Sequence, residues 1–353
     1  MKKQGILYAI AALVAAGICV LLIIDSKQVI ENIQSSVTVC LSVIIPSLFA
    51  FMVLSQIMIS TGTADILFFP LYKVSSFWFK GSRRLFSVFM LSLIGGYPVG
   101  IKLLKEYISY NKKYTAIAEQ MLCFCYCGSP AFIIQIVGIS VFGSTDAGLI
   151  VYISNAAACL IMAIVINCLL KKDDMPEDNK LDEVKISLNT ITDSIEKSVK
   201  ALGVICGTIL AFNIIIELME FTGIMGLLES VGVKKITCAA FEISNLSLFQ
   251  GENYSLLPVF AALTSFGGLC IIMQTAALSQ GKIPLKKFVL SRIPAAILSG
   301  IICKIITDVT GVALESYASM PMTPVLSSVD PLCSICIVVM TYILINDKQK
   351  VSK

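Results

Sequence analysis

The sequence has no histidine and few charged residues, and each absence excludes a class of protein. Without histidine, the chain lacks a common zinc ligand and the side chain best suited to acid–base catalysis near neutral pH. Charged residues make up 14% of the 353 residues, whereas soluble domains contain roughly 25%. Hydrophobic residues make up 57%, and the mean hydropathy is +0.87. The composition predicts a membrane protein, and we expect neither an enzyme nor a nucleic-acid partner.

The thirteen cysteines do not follow the pattern of a disulfide framework. Most stand singly within apolar runs, where cysteine packs as a small hydrophobic residue. Two closer groups, Cys123-x-Cys125-x-Cys127 and Cys333-x-x-Cys336, have no histidine to complete a metal site. The alternating trio is also expected to lie on a helix, where its three side chains would fan out in different directions and would not converge on one metal ion. We therefore expect no metal and no cofactor, and the many thiols favour a reducing compartment.

Eight apolar stretches are long enough to cross a bilayer core of roughly 30 Å. They are Ile6–Ile24, Val37–Ile59, Ala116–Val141, Gly148–Leu170, Val199–Met219, Leu256–Leu278, Ile293–Val312 and Val329–Ile345. The first follows Lys2 and Lys3, as a signal peptide would, but no Ala-x-Ala-like cleavage site comes after it. We therefore expect a retained helix. The chain is predicted to be an all-α polytopic protein of the cytoplasmic (inner) cell membrane with about eight transmembrane helices.

Clusters of lysine and arginine predict the topology, because short positive loops stay in the cytoplasm. Placing the clusters there puts both termini on the cytoplasmic side. Arg84 and Lys102 flank Leu85–Ile101 on one side of the membrane, so this stretch is predicted to enter and leave as a re-entrant hairpin. Lys234 is an exception that falls outside, next to Ile236–Phe249. That stretch is predicted to be a second hairpin, which enters from the outer face.

A repeat relates the two halves of the sequence. Leu41–Phe51 aligns with Leu202–Phe212 without a gap, and the same offset of 161 (202 − 41) pairs Thr61-Gly62 with Thr222-Gly223. Duplicated hydrophobic units with interrupted helices at matching places are typical of secondary transporters. We predict an N-terminal transmembrane helix in 1–35, a first repeat in 36–170, a cytoplasmic linker in 171–197, and a second, inverted repeat with the C-terminal helices in 198–353.

Four interruptions lie within the apolar segments. They are Gly95-Gly96-Tyr97-Pro98, Cys127-Gly128-Ser129-Pro130, Glu242-Ile243-Ser244-Asn245 and Ser265-Phe266-Gly267-Gly268. Backbone groups freed at membrane depth must find partners in protein, water or ligand. Ser129 before Pro130, and Gly96 before Pro98, are predicted to begin half-helices, and Ser244 or Asn245 to cap the third. Helix N-termini attract carboxylates and phosphates, so several of them near the midplane would suit an anionic substrate.

Individual side chains near the interruptions are further candidates, each with a structural alternative. Gln135 and Gln274 each follow a glycine by seven residues, and could bind a substrate or only another helix. Glu242 is an ionisable group in an apolar hairpin, where charge is costly and function is the default expectation. It could bind a coupling cation, carry a proton or pair with Lys102. Tyr97 could stack on an aromatic substrate or anchor its hairpin.

These motifs resemble those of a known family. Leu93–Lys102 with its Gly-Tyr-Pro-x-Gly element, Ala118–Cys125 and Gly128–Pro130 are similar to sporulation integral membrane proteins of the YlbJ type. That family carries the nucleoside-recognition Gate domain, which also occurs in concentrative nucleoside transporters. The resemblance extends to Phe241–Asn245 and Phe266–Leu269, and so covers most of the chain. The chain departs from the family at Tyr126-Cys127-Gly128 and at Cys270–Gln274, where family members often have asparagines and a histidine.

The resemblance implies a transporter of endospore formation that moves dipicolinic acid from the mother cell toward the spore, across the mother-cell-derived forespore membrane. It also implies that hairpin tips and broken helices form the substrate site. The expected partners are the lipid bilayer and a small anionic aromatic carboxylate, moved by alternating access. The expected binding residues are Gly95, Gly96, Tyr97, Pro98, Gly128, Ser129, Pro130, Gln135, Glu242, Ser244, Asn245, Ser265, Gly267, Gly268 and Gln274.

Two alternatives stay open at the level of the sequence. The first is a nucleoside or base cation symporter on the same fold, which would transport uncharged substrates. The second is a non-transporting membrane scaffold in a sporulation complex. The coupling ion, the direction of transport and the formation of homo-oligomers are not determined by the sequence.

Overall fold

The structure is a computed structural model that describes residues 12–13, 15–20, 23, 26–79, 81–110, 114–169 and 187–310. Throughout these ranges, every regular element is a helix. Several predicted features lie outside the described residues. They are most of the first span Ile6–Ile24, the last span Val329–Ile345, residues 171–186 of the linker and the Cys333-x-x-Cys336 pair.

The first half of the described chain contains a helical hairpin and an interrupted helix. Its elements are α1 (Ser26–Val39), a π-helical segment (Cys40–Ile44), α2 (Ile45–Thr61), α3 (Thr63–Leu67), α4 (Phe69–Ser75), α5 (Arg83–Gly95), α6 (Tyr97–Tyr110), α7 (Thr115–Leu122), α8 (Pro130–Ile133), a second π-helical segment (Ile134–Ile139), α9 (Ser140–Phe142) and α10 (Thr145–Leu169). α5 and α6 pack against each other with Gly96 at the tip, as expected for a hairpin.

The second half contains the same two features. Its elements are α11 (Leu188–Phe221), α12 (Ile224–Ser230), α13 (Lys234–Phe241), two 3-10 helices (Ile243–Phe249 and Tyr254–Leu256), α14 (Leu257–Phe266), α15 (Gly268–Ser279) and α16 (Lys286–Thr310). α13 packs against the first 3-10 helix, and α14 is separated from α15 at Gly267.

The two halves present these kinds of element in the same order. α2 and α11 are each followed by a glycine in the left-handed region, Gly62 with φ 74° and Gly223 with φ 77°. A short helix comes next in both halves, then a hairpin, and then an interrupted helix. Among the described residues, each half closes with a long apolar helix, α10 or α16.

Five helices are long and apolar enough to cross a membrane. They are Val29–Thr61, Thr145–Cys168, Leu188–Phe221, Tyr254–Ser279 and Lys286–Thr310. Each contains most of one span predicted from the sequence. The predicted span Ala116–Val141 is different, because 123–129, a turn followed by residues without regular secondary structure, divides it into α7 and the helical run Pro130–Phe142. The described chain is thus all-helical, and its long apolar helices fit a membrane protein.

A row of exposed isoleucines on α16 also fits a lipid environment. Ile293, Ile297, Ile301 and Ile305 are each more than half exposed, and they recur every four residues along one face of the helix. A contiguous apolar face of this kind is uncommon on a soluble monomer. It suits contact with lipid chains.

The linker prediction differs from the structure at its C-terminal end. Residues 188–197 belong to α11, which begins at Leu188 and runs without interruption to Phe221. The side chain of Ser187 caps this helix by accepting from the N–H of Thr190 at 3.2 Å. The segment around Ile191 and Ile195 is therefore the beginning of the long helix that contains the predicted span Val199–Met219.

The hairpin of the first half approaches the segment between α7 and α8 very closely at Gly100. A Cβ atom added to this residue of α6 would lie 2.0 Å from the carbonyl oxygen of Cys125. Real Cβ atoms do not come so near to another backbone, so only glycine allows α6 to reach this position.

We predict that Gly100→Ala destabilises the protein by about 1–3 kcal/mol, because the added methyl group overpacks a backbone contact that cannot yield. Gly207→Ala is the matched control, since Gly207 lies within α11 and a Cβ atom there would meet nothing within 4 Å. Thermal unfolding in detergent should show a lower Tm for Gly100→Ala and no loss for Gly207→Ala. Equal Tm values would contradict the close approach.

Candidate functional site

A cavity lies where the hairpins and interrupted helices of the two halves meet. Its lining consists of Ile44, Leu48, Gly96, Tyr97, Pro98, Ser129, Phe132, Ile205, Ile209, Glu242, Ile243, Ile271 and Gln274. The cavity volume is about 30 Å³, enough for about two water molecules. Most of the lining is apolar, with a few polar groups at the helix interruptions. This combination is typical of small-molecule sites.

In the first half, the hairpin tip touches the start of a half-helix. Ser129 caps the run that begins at Pro130, and its Oγ accepts from the N–H of Phe132 at 3.2 Å. Pro98 stands at the second position of α6. The two predicted helix starts are therefore confirmed. A Cβ atom on Gly96 would lie 3.2 Å from the backbone nitrogen of Ser129, so the two starts are in contact beside the cavity.

In the second half, the cap differs from the prediction. Glu242 itself caps the following 3-10 helix, because its Oε2 accepts from the backbone N–H of Ser244 at 3.0 Å and also from the Ser244 hydroxyl. Neither Ser244 nor Asn245 is the cap. Asn245 instead donates to Asn213 Oδ1 at 3.3 Å, on α11. A carboxylate accepts two hydrogen bonds at once, which explains why it takes the capping position.

Glu242 is 1% exposed and lies outside the five long apolar helices. Burial raises the pKa of its carboxyl, while the hydrogen bonds from Ser244 act in the opposite direction. Lys102, considered as its ion-pair partner, instead donates to Ser198 Oγ at 2.8 Å. The pairing of Lys102 with Glu242 is therefore wrong, and Glu242 faces the cavity without a cationic partner among the described residues.

Two tyrosines of the first half reach the interruption of the second half. Tyr97 donates from its hydroxyl to the carbonyl of Thr264 at 2.6 Å. Tyr126 lies against Tyr97 with 4.9 Å between ring centroids, and its hydroxyl occupies the place where a Cβ atom of Gly267 would be. Gly267 has φ +86°, which strains any residue with a Cβ atom, and a Cβ atom would also collide with this hydroxyl. Both facts require glycine at this position. The interruption that contains Tyr126 in the first half is thus in direct contact with the interruption at Gly267 in the second half.

The structure brings only some of the predicted site residues to the cavity. Gly96, Tyr97, Pro98, Ser129, Glu242 and Gln274 line it. The other predicted residues are not part of the lining. They are Gly95, Gly128, Pro130, Gln135, Ser244, Asn245, Ser265, Gly267 and Gly268. Gly95 packs against the Phe51 ring, whereas the Gln135 side chain is exposed.

The cysteine trio lies in the turn and irregular segment between α7 and α8 rather than on a helix, so the expected fanning around a helix is wrong. Cys127 and Cys125 are fully enclosed there, and Cys159 on α10 donates to the carbonyl of Tyr126 at 3.3 Å. Over the described ranges, no three Cys, Asp or Glu side chains come together in a way that could hold a metal ion.

Arg292 was not among the predicted residues, although it lies within this assembly. It belongs to α16, has no exposed surface, and holds its guanidinium 4.5 Å from the centre of the Tyr126 ring. In the sequence, Arg292 closely follows a cluster of lysines that includes Lys287, and such a cluster predicts a cytoplasmic loop. The available signal was that Arg292 is the one charged residue between Lys287 and Lys304 in an otherwise apolar sequence, and a charge at such a place marks a functional candidate.

We predict that Tyr97→Phe lowers stability by about 1–3 kcal/mol, because it leaves the buried Thr264 carbonyl without a donor. Tyr254→Phe is the matched control, since Tyr254 also donates to a main-chain carbonyl, that of Phe142 at 3.0 Å, but from a half-buried position. Thermal unfolding in detergent should show the larger decrease in Tm for Tyr97→Phe. An equal or smaller decrease would contradict the importance of this contact between the halves.

Comparison of the chain with protein-family models, with curated proteins and with solved structures finds no match. Its function is therefore inferred from the residues and contacts of this site.

Proposed function

We propose that the protein is a secondary transporter of a small anionic aromatic carboxylate, with dipicolinate as its substrate during endospore formation. The observation that carries this inference is a cavity whose lining comes from both hairpins and from both interrupted helices. Secondary transporters bind their substrates at such places, where discontinuous helices from two repeats meet.

The order of elements supports two repeats of inverted topology. The left-handed glycines Gly62 and Gly223 stand at matching places, and each half closes, within the described residues, with a long apolar helix. In each half the hairpin also touches the interrupted helix, since a Cβ atom on Gly268 would lie 3.2 Å from the carbonyl oxygen of Ala240. We further propose about eight transmembrane helices and cytoplasmic termini, as the apolar stretches and the positive clusters of the sequence predict. Hairpins beside broken helices also fit kinship with the YlbJ-type Gate proteins, and a place in the forespore membrane is proposed from that kinship.

The lining suits an aromatic anion in two ways. The starts of α6 and of the helical run at Pro130 both border the cavity, and helix N-termini carry partial positive charge. Carboxylates therefore bind there. Tyr97, Ile205 and Ile271 supply apolar surface for a ring. Because the cavity holds only about two water molecules, a substrate enters when a hairpin withdraws, as alternating access requires.

In this mechanism, Glu242 couples the transport of the substrate to the movement of a proton. An ionised carboxylate in the cavity wall repels an anionic substrate, whereas a protonated one can donate a hydrogen bond to it. Burial already favours the protonated form of Glu242. The substrate therefore travels together with a proton carried by Glu242.

The first test is the flux of labelled dipicolinate into proteoliposomes that contain the purified protein. Flux should be saturable, and Ser129→Ala should reduce it about fivefold, because losing a helix cap costs about 1 kcal/mol at a site where the cap also faces the substrate. Ser187→Ala is the matched control. Ser187 caps α11 with the same 3.2 Å bond but does not line the cavity, so its loss should leave flux unchanged.

Other outcomes of this assay favour the alternatives. Flux of uridine without flux of dipicolinate would identify a nucleoside symporter. No flux of either compound, from folded protein under several ion gradients, would favour a membrane scaffold.

The second test is the pH dependence of uptake between about pH 6 and pH 8.5, where carboxylate substrates remain ionised. Wild-type uptake should fall as the external pH rises, because Glu242 loses its proton and then repels the anion. Glu242→Gln cannot lose a proton, so its uptake should be independent of pH. Glu196→Gln, which removes an exposed carboxylate on α11, should keep the wild-type profile. A Glu242→Gln profile that matches the wild type would exclude Glu242 as the proton carrier.

A further inference from the structure

Arg292 is a fully buried cation whose hydrogen bonds are incomplete. Its Nη2 donates to the carbonyl of Cys123 and to Ser291 Oγ at 2.9 Å, and its Nε donates to the carbonyl of Phe288 at 3.4 Å. Its Nη1 is buried and has no acceptor among the described residues. A guanidinium offers five N–H donors, so this one retains donor capacity.

No carboxylate in the described ranges compensates the charge of Arg292. The groups that act on it electrostatically are tyrosines and cysteines, and Glu119, the nearest acidic residue of α7 in sequence to Cys123, pairs with Lys287 at 3.0 Å. A buried charge without a counter-charge is costly, and in a membrane segment such a residue is a candidate for binding an ion of opposite sign.

Arg292 lies directly behind one wall of the cavity. Its guanidinium is 4.5 Å from the centre of the Tyr126 ring, and that ring is 4.9 Å from the ring of Tyr97, which lines the cavity. The hydroxyl of Tyr126 is buried and also has no partner in the described part of the chain. This wall therefore contains two tyrosines, Tyr97 on the hairpin and Tyr126 in the interruption between α7 and α8. The Nη1 group of Arg292 lies behind them without an acceptor among the described residues.

We propose that Arg292 recognises a carboxylate group of the transported substrate. When the hairpin withdraws and Tyr97 separates from Tyr126, the free Nη1 of Arg292 and the hydroxyl of Tyr126 bind the carboxylate. Charge-assisted bonds of this kind are short and strong, and a guanidinium matches a carboxylate in geometry. This assignment rests on the proposed function and adds to it the residue that selects for anions.

A purely structural role predicts different behaviour. If Arg292 only holds the Cys123 carbonyl, its loss lowers stability and weakens the binding of charged and neutral ligands alike. A recognition role predicts a loss confined to ligands with a carboxylate. The two roles are therefore separated by a comparison of ligands rather than by stability alone.

The test is isothermal titration calorimetry of the full chain in detergent with three pyridine ligands: the 2,6-dicarboxylate, the 2-carboxylate and the uncharged 2,6-dicarboxamide. Wild type should bind the dicarboxylate most tightly. Arg292→Gln should weaken both carboxylates by about a hundredfold and leave the diamide within about twofold. Arg292→Lys should recover part of the loss. Lys287→Gln, which removes a positive charge from the same helix outside the buried layer, should match wild type.

Each other outcome has a defined meaning. If wild type binds the dicarboxylate and a folded Arg292→Gln keeps that affinity, the role of Arg292 is overturned and the proposed function stands. If folded wild type binds no carboxylate, the proposed function fails as well. If Arg292→Gln does not fold, Tyr126→Phe decides the matter. It should weaken both carboxylates about fivefold to tenfold and spare the diamide, and unchanged carboxylate affinity would overturn the assignment.

Discussion

The interrupted helices depend on hydrogen bonds that replace the ones their backbones give up. At membrane depth no bulk water satisfies a free carbonyl or amide, so another part of the protein must do so. Tyr97 donates to the carbonyl of Thr264, and Arg292 donates to that of Cys123. Both carbonyls lie at the C-terminal ends of interrupted helices, and both donors come from other helices. These two bonds therefore fix the place where the halves of the chain meet.

The same bonds determine what movement costs. If the hairpin that bears Tyr97 withdraws, the carbonyl of Thr264 loses its donor, and an unsatisfied buried carbonyl costs about 1–3 kcal/mol. Water or a polar ligand that enters the opened cavity can replace the lost donor. Opening and the arrival of a polar ligand are thus linked through one backbone group, which gives the proposed alternating access a physical basis.

The sequence predicts features that depend on neighbouring residues and misses those that depend on distant ones. The helix start at Ser129-Pro130 was predictable, because the cap and its partner Phe132 are three residues apart. The capping role of Glu242 was not, since serine and asparagine are the usual caps. The burial of Arg292 was also not predictable, because it results from packing against Tyr126, which is distant in sequence. A glycine such as Gly95 likewise has the same appearance in sequence whether it meets a ligand or an aromatic ring.

Glu242 and Arg292 can carry opposite charges but do not pair, and in the proposed mechanism this separation has a consequence for transport. With Glu242 ionised, Glu242 and Arg292 together have no net charge. When Glu242 takes up a proton, its negative charge disappears, and one substrate carboxylate bound to Arg292 supplies a negative charge in its place. One carboxylate thus enters without changing the net charge of the site, and the helix N-termini at Tyr97 and Pro130 can offset a second. Because net charge in a low-dielectric interior is costly, this exchange favours cotransport of an anion with a proton over transport of the anion alone.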